Sequence, residues 1–247
     1  GEKALYDFTS PDGIGHRCWS LTDKKDIEAI SKAFKAIDEI YICDGHHRCA
    51  SAAKVCVKRR MEAGSYTGEE EFNYFLCVLF PDEQLKIYDY KRVVRDLNGL
   101  SESRFLDRIR KKFIMEEAGD KPVRPERKGS FGMYLGHRWY ILTIKDGLIS
   151  DDTVEKLDVS ILQNELLAPI LNIEDPKTDK RIHFVGGIRG LEELVRLVDS
   201  GKWEVAFSMY PTDIHELFAV ADEHSLMPPK STWFEPKLRS GLFLHEL

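Results

Sequence analysis

The run Cys43-Asp44-Gly45-His46-His47-Arg48 gathers a carboxylate, two imidazoles and a guanidinium around one glycine. Such a set can grip an anion and move a proton. The apolar stretch Glu39-Ile40-Tyr41-Ile42-Cys43 precedes it, and a helix-forming stretch over 47–61 follows, ending near Gly64. The spacing predicts a buried strand, a tight turn at Asp44-Gly45 and a helix. Glycine lets the backbone turn sharply and approach a ligand, and the helix that follows offers unpaired N–H groups at its positive end. Arg48, in the first turn, adds a forked donor suited to phosphate or carboxylate. Asp44 is a candidate magnesium ligand or proton acceptor. His46 and His47 are adjacent and point to different faces, so at most one reaches the reacting centre. Asp44, His46 and His47 are therefore the candidate catalytic residues, and Gly45, His46, His47 and Arg48 the candidate phosphate-binding ones. Asp-Gly-x-x-Arg alone also describes a capped structural turn; the imidazole pair tips the reading towards function.

Other segments offer weaker chemistry. Lys230-Ser231-Thr232 follows Pro228-Pro229 and supplies an ammonium and two hydroxyls as a second candidate contact to a bound anion. It is not a Walker loop, because Pro229 and His224 stand where that loop needs glycine. His16 and Arg92 are candidate pocket residues, each weighed against an ordinary role: a packed histidine near Trp19 and a solvated strand end beside Lys91. Gly186-Gly187-Ile188-Arg189-Gly190 reads as a turn, since it lacks the first glycine of a dinucleotide fingerprint. Lys54, Lys58, Arg59 and Arg60 read as the wet face of a helix. A zinc site from His46, His47 and cysteines has poor spacing.

The elements expected to position these groups alternate along the chain. A short strand over 15–21 leads to a helix over 26–37, with Ile27, Ile30, Phe34 and Ile37 on one face and Thr22 or Asp23 as its cap. The strand–turn–helix elbow follows. Apolar runs over 72–80 and 85–94 suggest a hairpin, and Ser101-Glu102-Ser103 opens a helix to Ile114. A Pro- and Arg-rich stretch over 121–129 is the best linker candidate, and a loose boundary is placed near residue 100. A second hairpin is expected over 131–144 across Gly136-His137, then a helix over 158–171 kinked or shortened at Pro169. Strand and helix then alternate from 181 to 224 in the manner of α/β units, and 232–247 reads as extended. The fold class is α+β (mixed α/β): a strand–turn–helix core in a first lobe over 1–100 and a second α/β lobe over 101–247 packed against it.

With 247 residues, 43% hydrophobic and 32% charged, the chain has the composition of a globular protein with material for one large core or two small ones. A net charge of −6 disfavours wrapping duplex DNA, which rewards neutralised phosphates. Apolar runs fall short of the ~20 residues that span a bilayer, and no signal-peptide pattern opens the chain, so a cytoplasmic location is expected. Five cysteines, without paired short spacings, are expected to be reduced. The start, without methionine, suggests a piece that lacks an upstream segment. Oligomeric state is left open by the sequence.

From Tyr41 to Ala52 the chain resembles the Gly-x-x-Arg box of ParB proteins, the Gly-Cys-His-Arg box of sulfiredoxins and the Asp-Gly-His-His-Arg form of ParB-like free-serine kinases. Over nearly its full length it resembles a bacterial and archaeal family called domain of unknown function 1015, some members of which are labelled SpoOJ/ParB-like. The further residues behind this are His16-Arg17-Cys18-Trp19, Arg92-Val93-Val94-Arg95-Asp96-Leu97-Asn98-Gly99, Met227-Pro228-Pro229-Lys230-Ser231-Thr232 and Phe234-Glu235-Pro236-Lys237. Lys91 departs from the asparagine expected in that family. The resemblance implies a ParB/sulfiredoxin-like core. Sulfiredoxin-like proteins carry a reactive cysteine where this chain has His46, so sulfinic-acid reduction is not expected, and Cys43 and Cys49 do not replace it. The kinase-like members bind adenine-nucleotide phosphates with the same box, which transfers Gly45, His46, His47 and Arg48 to phosphate but leaves the base unassigned, with Asp44 a candidate.

Two functions follow from this resemblance together with the residues. The first is a nucleotide-dependent phosphotransferase or hydrolase acting on a small hydroxylated metabolite, with ATP or ADP and Mg2+ as cofactors. The second is a nucleotide-gated ParB-like binding or regulatory module without metabolic turnover. Expected partners are a nucleotide and a small-molecule substrate, with neither DNA nor a membrane.

Overall fold

The computed structural model describes residues 3–246. The chain divides into two compact units, Gly1–Ile42 and Cys43–Leu247.

In the first unit, strand β1 (Tyr6–Thr9) pairs antiparallel with β2 (Gly15–Cys18). Helix α1 (Lys24–Phe34) opens on Asp23, whose carboxylate accepts from the N–H groups of Lys25 at 2.8 Å and Asp26 at 3.4 Å. This is the expected cap. The segment over 39–43 is not the buried strand that its apolar residues suggested: it joins no sheet among the described residues, and Ile40 and Ile42 are 59% and 46% exposed. Apolar side chains favour burial but do not create a strand, which needs a neighbour to take its backbone hydrogen bonds.

The second unit opens with helix α2 (His46–Ala63), closed by Gly64 as expected, though it starts one residue earlier and buries none of its residues. The run over 72–80 is a second correction. It forms only a 3-10 turn at Glu71–Asn73, and Phe75, Leu76, Val78 and Leu79 are about half exposed. Strand β3 (Lys86–Tyr88) therefore has no hairpin partner there and pairs instead with residues from the far end of the sequence.

Six antiparallel strands form the main sheet. In chain order they are β4 (Tyr90–Val94), β5 (Phe113–Gly119), β6 (Ser130–Leu135), β7 (Arg138–Ile144), β8 (Ile182–Gly186) and β9 (Val205–Met209), arranged β5-β7-β6-β9-β4-β8. The β6–β7 hairpin turns at Gly136 and His137, both with positive φ (56° and 62°), the pairing that a two-residue turn demands. Helix α3 (Glu102–Lys112) starts at Ser101 and passes straight into β5, a strand that sequence reading missed. Helix α4 (Asp158–Leu162) continues through a π turn at Gln163–Leu167 into α5 (Ala168–Leu171). Pro169 cannot donate to the preceding turn, and the ladder widens just before it. Helix α6 (Glu192–Asp199) links β8 to β9, α7 (Ile214–Asp222) follows, and β10 (Trp233–Glu235) pairs with β3.

Alternation along the strands gives the sheet two apolar faces. Phe131, Met133, Leu135, Leu142 and Phe207 pack with Phe105 and Ile109 of α3 and with Leu162 and Leu171. Tyr134, Trp139, Val93 and Ala206 face the other way, onto Leu194 and Val198 of α6. The protein is α+β, and the expected run of α/β units is corrected in one respect. β8 and β9 are not neighbours, because β4 lies between them and runs antiparallel to both. β4 precedes residue 100 in sequence and sits inside the sheet built by the later strands. The stretch over 121–129 connects β5 to β6, and Val123 packs on the α6 face.

Candidate anion-binding site

Gly45 sits at φ 84°, ψ 23°, the left-handed region, and is the N-cap of α2. No side chain caps this end. The carbonyl of Gly45 takes the N–H of Cys49 at 3.0 Å, closing the first helical turn. The N–H groups of His46, His47 and Arg48 are thus the first-turn donors left outside the helical ladder. Arg48 folds back over the glycine: a Cβ on Gly45 would lie 2.9 Å from Arg48 Nη2 and 3.1 Å from Nε. Glycine is needed here both for its backbone angle and for the space that the guanidinium fills. Among the described residues, the side chains of His46, His47 and Arg48 are exposed and make no hydrogen bond or ion pair. Their donors remain available to a ligand.

Asp44 is already engaged. Its Oδ1 accepts the Gly45 N–H at 2.8 Å, and its Oδ2 accepts from Lys237 Nζ at 3.0 Å. Burial pushes its carboxyl up, but the hydrogen bonds from Lys237 and Gly45 and the charges of Lys237 and Arg48 outweigh that and hold it below the usual carboxylate value. A carboxylate so stabilised is a poor proton acceptor. It is also a poor magnesium ligand as built, since an ammonium already stands on its outer oxygen. Among the described residues no group of three or more His, Cys, Asp or Glu side chains is placed to hold a metal. The residues present do not fit a protein-held magnesium ion. Cys43, beside it, is pushed up by burial and by the charge of Asp44, away from the thiolate that redox chemistry would use.

Lys237 was missed in the sequence, although it ends the Phe234-Glu235-Pro236-Lys237 motif that carries part of the family resemblance. Its ammonium also lies 5.4 Å from the Trp233 ring centroid. Trp233 meets Tyr90 edge-on at 5.5 Å, and Lys230 Nζ lies 5.3 Å from the Tyr90 ring. A run of cation–ring and ring–ring contacts thus leads from Lys237 through Trp233 and Tyr90 to Lys230. Ser231 is different: it is 3% exposed and its hydroxyl donates to the Pro228 carbonyl, so it holds the turn together. Thr232 is half-buried next to it.

Arg92 is no solvated strand end. It is 4% exposed, donates to the carbonyls of Tyr90 and Lys230, and stacks on Phe184 at 5.3 Å. His16 belongs to the first unit, where its Nε2 lies 3.0 Å from Ser10 Oγ and its ring stacks on Phe8 at 5.0 Å. That is the packed, hydrogen-bonded histidine of the ordinary reading.

The elbow thus combines an uncapped helix start, a left-handed glycine and an arginine folded over it, features that suit an anion. The chain belongs to the DUF1015 family, described as protein of unknown function, whose model matches residues 1–160. No curated protein matches it. Among solved structures, a free serine kinase in complex with AMP is 14% identical, covering 87% of this chain and 81% of its own, with a TM-score of 0.43. A conserved hypothetical protein from Pyrococcus furiosus is 14% identical over 85% of this chain and 81% of its own, with a TM-score of 0.42. Likenesses of this size leave the chemistry to be argued from the chain's own residues. No helix among the described residues is long and apolar enough to cross a membrane.

Proposed function

We propose that the protein is a nucleotide-dependent phosphotransferase or hydrolase whose elbow, of the ParB/sulfiredoxin kind, holds the nucleotide phosphates. One observation carries this reading: the left-handed Gly45 opens an uncapped helix of 18 residues while Arg48 lies against it, its donors unused among the described residues. The first-turn N–H groups and the guanidinium would bind phosphate oxygens as they bind any anion at a helix start, with the forked donor adding charge. Lys237 neutralises Asp44, so that the phosphate meets no bare carboxylate. ATP or ADP is the proposed nucleotide, and magnesium, where needed, would arrive bound to its phosphates.

In the transfer, the bond from the terminal phosphorus to the nucleotide oxygen breaks and a bond to the acceptor hydroxyl oxygen forms. The hydroxyl proton must leave. With Asp44 stabilised as an ion, that role falls to His46 or His47, because imidazole exchanges protons near neutral pH. A small hydroxylated metabolite is the proposed acceptor; with water in its place the same steps give hydrolysis.

Thermal unfolding with ATP, ADP, CTP and GTP, each with and without magnesium, tests the site, because a ligand that binds only the folded chain raises the midpoint. A nucleotide-selective rise that disappears in Arg48→Ala is expected. No rise with any of the four would remove the nucleotide from the proposal. A rise without turnover on a panel of hydroxy acids and hydroxy amino acids would instead favour a nucleotide-gated regulatory module.

A further inference from the structure

Among the described residues, one buried cation lacks a counter-ion. Arg92 is buried, and its hydrogen-bonding partners are uncharged: the carbonyls of Tyr90 and Lys230, and the Met209 sulfur at 3.3 Å from Nη1. Among the described residues no carboxylate pairs with it. Asp89, whose charge it senses, is spent on Lys91 Nζ at 3.5 Å. Burial lowers Arg92 to about 10, against the pull of Asp89, so it stays charged at neutral pH. Burying a lone charge is costly unless something compensates it.

Arg92 lines a cavity of about 200 Å³, and the remaining wall explains what would enter. Pro228 and Pro229 form a stiff apolar side, while Glu155, Gln163 and Asn164 come from the helical segment around α4. Glu155 and Asn164 are exposed and so stand at the rim, whereas Arg92 lies at the floor. The rim offers acceptors. Asn164 donates to Glu155 Oε2, leaving Oε1 without a partner among the described residues. Gln163 spends its Nε2 on the Ile173 carbonyl at 2.7 Å, leaving its oxygen. The cavity thus has a cation below and a carboxylate with amide oxygens above. Its volume is under the ~300–1,000 Å³ of ordinary ligand pockets, which excludes a nucleotide.

We propose that this cavity binds a small amino-carboxylate, its carboxylate on Arg92 and its ammonium at the rim with Glu155 and the amide oxygens of Gln163 and Asn164. A phosphate would fit worse, because one guanidinium meets its first charge and Glu155 repels its second. The site uses no elbow residue, so it stands or falls apart from the nucleotide reading. It is nevertheless joined to the elbow: Arg92 holds the Lys230 carbonyl, and the Pro228–Pro229 wall leads into β10 and on to Lys237, which bonds Asp44. A bound amino-carboxylate would steady that segment.

Calorimetric titration of the full chain with alanine, lactate, propionate and inorganic phosphate tests the assignment. Saturable binding of alanine is expected, with propionate weaker by about tenfold for want of the charged donor. Glu155→Gln, an exposed change that leaves the core alone, should erase most of that advantage while propionate binds as before. Arg92→Lys should weaken both carboxylates; because it also touches packing, circular dichroism must accompany it, and the Glu155→Gln result decides if it unfolds. The proposal is overturned by absence of saturable binding of alanine at millimolar concentration, by phosphate binding more tightly than alanine, or by alanine binding unchanged in Glu155→Gln.

Discussion

Helix α2 runs for 18 residues and buries none of them, whereas strand β9 buries all five of its own. The two regions do different work. β9 lies between β6 and β4 with apolar neighbours on both faces, so its contacts contribute stability. α2 is anchored by polar bonds such as Arg60 Nε to Asn73 Oδ1 at 2.7 Å, and its first turn keeps its donors free. Stability and the proposed ligand binding therefore lie in separate places, and substitutions should separate them.

The largest effect is expected in the sheet. Phe207 is 0% exposed and packs in the larger core, so Phe207→Ala should cost about 3–5 kcal/mol of stability. Urea unfolding measures it; a loss under about 1 kcal/mol would mean that β9 is not the core strand described. Arg48→Ala should do the reverse. The unliganded unfolding midpoint should stay put, because the side chain makes no bond among the described residues, while nucleotide affinity should drop about tenfold or more, the value of a charge-assisted hydrogen bond. If stability fell as well, the side chain would be part of the fold and the contrast between the two regions would fail.

That contrast also explains what could be read from the sequence. The β6–β7 hairpin, the Asp23 cap and the elbow turn were legible because each depends on neighbours in sequence: Gly136-His137, Asp23 with Asp26, Asp44-Gly45. Strand β5 was not, since Phe113-Ile114-Met115-Glu116-Glu117 begins where a helix ends and is half polar, as an edge strand can be. The reading of 39–43 and 72–80 as strands failed for the opposite reason: apolar content was taken for pairing, and pairing depends on partners that sequence pattern does not reveal. At the elbow, Asp44, Gly45 and Arg48 are neighbours in sequence, so their grouping was legible. Lys237, 193 positions from Asp44, could be placed there only by the β10–β3 pairing and the chain that continues from it.

A smaller effect, and one with a pH signature, should come from Asp158. It is the buried carboxyl at the start of α4: burial raises it to about 7, opposed by the Gly129 N–H at 2.7 Å, with Glu216 adding to the rise and Lys128 reducing it. Its Oδ2 makes no hydrogen bond among the described residues. The folded chain holds this proton more tightly than the unfolded chain, whose value is near 3.8. Stability should therefore fall as pH rises from about 4 to about 7, and the cost should be complete above that range. Asp158→Asn removes the titration, so the variant should gain on the parent steadily across that interval in thermal unfolding. A constant difference between the two at every pH would show that Asp158 does not titrate there.

The smallest effect on binding, and the most informative about the elbow, concerns Lys237. Its side chain is 41% exposed and that of Asp44 59%, so solvent screens the pair and Lys237→Ala should cost less than about 1 kcal/mol. Nucleotide binding should nevertheless weaken, because without the ammonium the Asp44 carboxylate faces an incoming phosphate with only the Gly45 N–H and the Arg48 charge beside it. Nucleotide affinity should fall by about three- to tenfold, and raising the salt should shrink the deficit. The double variant Asp44→Asn with Lys237→Ala should regain most of the loss, since it removes the repulsion along with its counter-ion. If Lys237→Ala weakens binding and the double variant does not recover, Lys237 contacts the nucleotide directly and the elbow extends further into the C-terminal segment. If Lys237→Ala binds as the parent does, the ion pair is only a latch between that segment and the elbow, and Arg48 with the helix amides is the whole of the anion site.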